Sequence, residues 1–375
     1  MPLHGDLDGD RFGDIALADE IGLHVVSDPG DGEWDVADKE LLTVAPDDVS
    51  TRYLHAVGGE FDGDGLRDFA VTAFAPSYVE SAVFVFEGGA TGSLTSDDAF
   101  AAWSDGTFIE GFSITTVDDM DGDGLQELAK TRIFSDATSC NVALYRPASD
   151  ADVSELASID DASGNFFGYA LASGDIDGDR FPDLVIAAPG EGIGAVYVYS
   201  GPLRDSGLSS ADADVAIRGA EADGFGTSVI FDPLLDANGD GEGDLVLGAR
   251  EASTAYLFEG PLASSLALSE AHATYFGGEG SALGMAISTP DVDGDGFDDL
   301  LFGLTTSVDG VGALLFYGAS AGSHTAADAG VRFLTDDTRG YSADSPGDID
   351  GDGFDEISLA GPIVSTMPIL RGSGI

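Results

Sequence analysis

Asp175-Ile176-Asp177-Gly178-Asp179-Arg180-Phe181-Pro182-Asp183 runs directly into Leu184-Val185-Ile186-Ala187-Ala188-Pro189. A nine-residue acidic loop thus feeds a short apolar run closed by proline, which reads as a buried strand. Loops of the same form, Asp-x-Asp-Gly-Asp-x-x-x-Asp with conservative exchanges, begin at Asp6, Glu60, Asp119, Asp175, Asp236, Asp291 and Asp348. They are separated by 54, 59, 56, 61, 55 and 57 residues. Such regularity is the signature of a repeat architecture. The loops, 6–14, 60–68, 119–127, 175–183, 236–244, 291–299 and 348–356, fill the chain without a linker, so residues 1–375 read as one domain.

The unit around 175–183 shows the grammar of the others. Phe167-Gly168-Tyr169-Ala170-Leu171-Ala172 is a strand leading into the loop, Leu184 to Pro189 a second, Gly194-Ala195-Val196-Tyr197-Val198-Tyr199 a third and Val215-Ala216-Ile217-Arg218 a fourth. The third strand recurs at 82–86, 255–258 and 313–317. Four short strands in each of seven units predict an all-β fold, a seven-bladed β-propeller with a calcium-binding loop in each blade.

Calcium takes six to eight oxygen ligands from carboxylates, amides, carbonyls and water. Positions 1, 3, 5 and 9 of each loop offer side-chain oxygens. They are Asp6, Asp8, Asp10 and Asp14; Glu60, Asp62, Asp64 and Asp68; Asp119, Asp121, Asp123 and Glu127; and Asp175, Asp177, Asp179 and Asp183. The later loops supply Asp236, Asn238, Asp240 and Asp244; Asp291, Asp293, Asp295 and Asp299; and Asp348, Asp350, Asp352 and Glu356. Up to seven Ca²⁺ ions are therefore expected, with the fifth site the weakest because Asn238 replaces a carboxylate. Position 4 is glycine in every loop, as a tight curl requires. Position 6 is Gly in five and Arg in two (Arg11 and Arg180), and reads as less demanding. Position 7 (Phe12, Leu66, Leu125, Phe181, Phe297 and Phe354) is expected to give its carbonyl while its side chain packs beneath the loop.

An EF-hand would need an acidic ligand at position 12 and flanking helices. Position 12 is Leu17, Val71, Lys130, Ile186, Leu247, Phe302 and Leu359, which excludes it. A plain acidic turn is the other alternative, but four carboxylates in each of six nine-residue loops, and three in another, repel one another unless a cation intervenes. Gly318-Ala319-Ser320-Ala321-Gly322 matches a hydrolase nucleophile elbow, which demands a strand-to-helix turn; here it follows a third strand and reads as a surface loop. The five histidines show no metal-ligand spacing.

Lys plus Arg number 14 and Asp plus Glu 69, a formal net charge of -55. That surface repels nucleic acid and anionic membranes and favours cations and basic partners. A single cysteine, Cys140, permits no internal disulfide, and no apolar run is long enough to span a bilayer.

The repeat resembles the FG-GAP family, the unit of integrin α-subunit heads and of many bacterial secreted proteins. Phe167-Gly168 and Phe225-Gly226 carry the signature dipeptide, with Leu283-Gly284 close to it. Ala187-Ala188-Pro189, Phe74-Ala75-Pro76 and Ala360-Gly361-Pro362 stand for the Gly-Ala-Pro element. The resemblance implies a non-enzymatic, extracellular or cell-surface module for adhesion or protein binding; a lectin-like glycan binder and a hydrolase on a propeller scaffold are the alternatives. The chain starts just before a loop and ends just after a third strand. The last blade is therefore expected to be incomplete and to close on the first through side-chain packing.

Overall fold

The structure, a computed structural model, describes residues 15–18, 23–26, 40–44, 52–74, 81–104, 108–134, 140–147, 154–161, 166–190, 194–219, 225–231, 242–318, 320–335, 340, 342–348, 351–360 and 369–370. The first acidic loop lies outside these residues, as do Asp236, Asn238 and Asp240 of the fifth and Asp350 of the seventh.

The described strands form seven sheets that follow one another along the chain. Sheet four shows the arrangement. Leu171–Gly174, Asp183–Ala188, Ala195–Tyr199 and Val215–Arg218 pair antiparallel in chain order, with Leu171 opposite Ile186, Leu184 opposite Tyr199 and Ala195 opposite Arg218. Sheet two (Arg52–Gly59, Asp68–Phe74, Ser81–Phe86, Ala101–Trp103) and sheet three (Phe108–Val117, Glu127–Phe134, Cys140–Arg146, Ser154–Asp161) repeat it. So do sheet five (Phe225–Phe231, Leu245–Ala249, Thr254–Phe258, Ala273–Phe276) and sheet six (Ala286–Ser288, Leu300–Val308, Val311–Phe316, Val331–Leu334). Sheet one comprises Ile15–Ala18, Leu23–Val26 and Glu40–Val44, and sheet seven Ser342–Gly347, Glu356–Ala360 and Ile369–Leu370. No described helix is long and apolar enough to cross a membrane.

The second strand of a sheet is apolar throughout because both of its faces are covered. Leu184, Ile186 and Ala188 pack toward sheet three, and Val185 and Ala187 toward sheet five. Every one of these side chains is at most 1% exposed. Six such clusters fill the six spaces between consecutive sheets. Burial of a Val, Leu or Ile side chain contributes about 1.5–3 kcal/mol, so the contacts between sheets dominate the stability.

Two expectations about strands are corrected. Phe167 to Ala170 is a turn, and the strand begins only at Leu171. Gly168 sits at φ 81°, where a Cβ would come within 2.6 Å of Thr131 Oγ1 and 2.8 Å of Val142 Cγ2. Thr131 Oγ1 donates to the Gly168 carbonyl at 2.6 Å, and Phe167 is 1% exposed. The Phe-Gly dipeptide therefore docks one sheet onto its predecessor.

The polar stretch after the third strand is the other correction, because it holds an additional strand. Ser206–Ser209 pairs parallel with the fourth strand of sheet three, Leu266–Ala267 with that of sheet four and Gly322–Thr325 with that of sheet five. Gly92–Leu94 does the same to Glu40–Val44. Each strap thus covers the outer edge of the preceding sheet, an edge that would otherwise be a template for another chain. Three straps end in a capped turn: Thr95, Ser209 and Thr325 each donate through backbone N–H and hydroxyl to Asp98, Asp212 and Asp328. Gly322 opens a strap, so the Gly-x-Ser-x-Gly stretch leads into a strand rather than a helix.

Candidate metal sites

Each described loop joins the first strand of its sheet to the second and is wound by its own carboxylates. In the fourth loop Asp175 Oδ1 accepts from Gly178 N–H at 2.8 Å and its Oδ2 from Arg180 N–H at 2.8 Å. Asp177 accepts from Asp179 N–H at 3.1 Å, and Asp179 from Phe181 N–H at 2.8 Å. The third and sixth loops repeat all three steps. Gly63, Gly122, Gly178, Gly294 and Gly351 at position 4 have φ between 71° and 87°, which accounts for the glycine there. Position 6 is equally left-handed, from 86° to 92° at its glycines and 76° at Arg180. Arg180 is therefore strained there, contrary to the reading of position 6 as less demanding than position 4.

Position 9 is the root of the loop. Asp68, Glu127, Asp183, Asp244, Asp299 and Glu356 are all 0–1% exposed. In the second, fourth and sixth loops the two oxygens divide their work. One accepts from the N–H of position 2 (Phe61, Ile176, Val292) and the other from a glycine just beyond the third strand (Gly88, Gly201, Gly318). Asp244 likewise accepts from Gly260. Burial pushes Asp68, Asp183 and Asp299 up to about 6 against these hydrogen bonds, with neighbouring carboxylates adding to the rise. Glu127 is pushed up to about 7, by burial first and by Asp123, Asp119 and Asp118 in addition.

The side chain beneath the loop belongs to position 2, not position 7. Phe61, Met120, Ile176 and Val292 are 0–1% exposed, whereas Leu66, Phe181 and Phe297 are 37%, 48% and 42% exposed. Position 7 instead leans toward the preceding loop: Leu125 toward Gly63, and Phe354 toward Gly294. Position 8 links the same pairs. Gln126 N–H donates to Glu60 O and its Oε1 accepts from Glu60 N–H; Asp355 makes the same two bonds with Asp291.

The loops bring together Glu60, Asp62 and Asp68; Asp119, Asp121, Asp123 and Glu127; Asp175, Asp177 and Asp183; and Asp291, Asp293 and Asp295. Within each group one oxygen per residue lies within 4.8 Å of the others. Ligands on opposite sides of a calcium ion are about 4.6–5.2 Å apart at its usual bond lengths, so the spans suit that ion. Asp64, Asp179 and Asp299 stand outside these groups, and the described residues of the fifth and seventh loops form none. The donor set is oxygen throughout, and Glu127 Oε1 is buried with no hydrogen-bond partner. These residues fit a hard divalent cation.

The third loop has a further member. Arg146, at the end of the third strand, pairs with Asp121 and, through Nε at 2.7 Å, with Asp123. Arg204 Nη2 donates to Asp121 O at 2.7 Å.

The FG-GAP repeat model matches residues 167–199, from the docking turn through the fourth loop to the end of the third strand. Integrin alpha-V of Gallus gallus is 28% identical over 275 residues, 66% of this chain and 25% of that protein. Integrin alpha-E of Mus musculus is 40% identical over 99 residues, 23% of this chain and 8% of that protein. Phosphatidylinositol-glycan-specific phospholipase D of Rattus norvegicus is 31% identical over 155 residues, 36% of this chain and 18% of that protein. The chain thus spans a quarter or less of the length of these relatives. Family model and relatives together support the FG-GAP β-propeller family, and the all-β succession of sheets is consistent with an integrin-like propeller.

Proposed function

We propose that residues 1–375 form a single seven-bladed propeller whose loops bind calcium, and that it acts outside the cell as an adhesion or protein-binding module. The observation that carries the metal reading is the six root carboxylates, each 0–1% exposed, four of them in loops whose carboxylates gather into groups. Clustered anions of this kind need a cation. In the third loop the Glu127 carboxyl is buried with one oxygen lacking a hydrogen-bond donor, a position that a cation would fill. The residues that would hold the ion are positions 1, 3, 5 and 9, which bind and orient it while the glycines give the backbone its curl.

The extracellular reading follows from the ion. Extracellular calcium modules bind with Kd on the order of 10⁻⁴–10⁻³ M, which the cytosol would leave empty. The binding role rests on the likeness to integrin α subunits, and a net charge of -55 directs it toward basic protein surfaces. A glycan ligand is the alternative within the same class. The similarity to a phospholipase favours a hydrolytic second reading, tested by assaying Ser320→Ala for loss of esterase activity.

Calcium that binds only the folded state stabilises it by about 1–3 kcal/mol per site in moderate excess. The melting temperature is expected to rise by well over ten degrees between EDTA and millimolar Ca²⁺. A melting temperature that ignores calcium would overturn the metal reading.

A further inference from the structure

The registers of the sheets place one residue of each at the mouth of its loop. Phe86, Tyr145, Tyr199, Phe258 and Phe316 each pair with the residue that directly follows position 9. The next residue along is Glu87, Arg146, Ser200, Glu259 or Tyr317, so among these five positions only the one at the third loop is a cation. In the fourth loop Ser200 Oγ donates to Asp177 Oδ2 at 2.9 Å. In the third, the Arg146 guanidinium takes the equivalent Asp121 and also Asp123, the carboxylates at positions 3 and 5.

We propose that Arg146 is a tethered counter-cation that makes the third loop a weaker metal site than the second, fourth and sixth. The inference rests on the calcium reading and goes beyond it by ranking the sites. Arg146 pairs its charge with two of the four carboxylates, as ion pairs. A metal ion enters only by displacing it, and the displaced guanidinium then stands beside a divalent ion. Composition does not separate these four loops, since each has four carboxylates at positions 1, 3, 5 and 9. The selectivity therefore lies in a strand 23 residues away from Asp123. Such a loop stays compensated at low calcium, where its neighbours depend on the ion.

The test exchanges the two mouth residues. Calcium binding is measured by equilibrium dialysis on the wild type, Arg146→Ser and Ser200→Arg, with thermal melting of each in EDTA. The wild type is expected to show a weak class that includes the third loop, roughly ten- to hundredfold below the main class, the range of one or two charged contacts. Arg146→Ser should move that loop into the main class and lower the melting temperature in EDTA. Ser200→Arg should move one site out of the main class. Calcium binding by the wild type that neither variant changes would overturn this inference alone. No calcium binding by any of the three would overturn the calcium reading and this inference with it.

Discussion

Asp183 and Asp179 lie four residues apart in the same loop, yet they do different work. Asp183 is 0% exposed and accepts from the N–H groups of Ile176, Asp177 and Gly201, tying the loop to the exit of a distant strand. Asp179 is exposed and accepts from Phe181 N–H alone. A repeated acidic signature thus contains a structural root and a solvent-facing crown. The root positions the crown.

The contrast breaks most readily at the root. Asp183→Ala strands three donors in a dry site and should lower the unfolding free energy by about 3–5 kcal/mol, against at most about 1 for Asp179→Ala. Urea denaturation in EDTA measures both, and equal losses would erase the distinction. The apolar positions give the next largest effect. Ile176→Ala removes a side chain that is 1% exposed and should cost about 2–4 kcal/mol, while Phe181→Ala, 48% exposed, should change stability by less than about 0.5.

Titration separates root from crown in a third way. Asp68, Asp183 and Asp299, pushed up to about 6, and Glu127, to about 7, keep protons that the unfolded chain releases near pH 4. Between those values the folded state binds more protons, so its stability falls as pH rises. Calcium-free protein should therefore melt at a higher temperature at pH 5 than at pH 8, and Asp183→Asn should flatten that slope. A melting temperature in EDTA that climbs over this interval contradicts the assignment. The smallest effect belongs to Arg180, held at φ 76°. Arg180→Gly should relieve about 1 kcal/mol of backbone strain, less the entropy that glycine adds to the unfolded chain. The net gain, about 0.5 kcal/mol, is measurable as a shift in the urea midpoint.

Much of this was legible in the residues. The acidic spacing located the loops, and the runs 184–189 and 194–199 located their strands to within a residue. The docking turn was misread because Phe167 to Ala172 has strand composition, while the close approach to Thr131 comes from another sheet. Position 7 was misread for a related reason: aromatic residues suggest burial, but the loop curls so that position 2 points inward. The signal for position 2 was present, since Leu7, Phe61, Met120, Ile176, Ala237, Val292 and Ile349 are all apolar. The straps were hidden by polar composition, although Thr95-x-x-Asp98, Ser209-x-x-Asp212 and Thr325-x-x-Asp328 repeat a capping pattern that marks their ends. Arg146 was beyond reach because only strand register places it over Asp121.

The straps also impose a schedule on synthesis. The edge of sheet three, Ser154–Asp161, is covered by Ser206–Ser209, and that of sheet five, Ala273–Phe276, by Gly322–Thr325. Each covering segment is made about 45 residues after the strand that needs it, a lag of roughly two to ten seconds at ribosomal rates. A sheet leaving the ribosome is consequently unfinished until most of its successor exists. Folding advances from the N-terminus as a row of overlapping tiles, each laid across the last, with one bare edge travelling at the front.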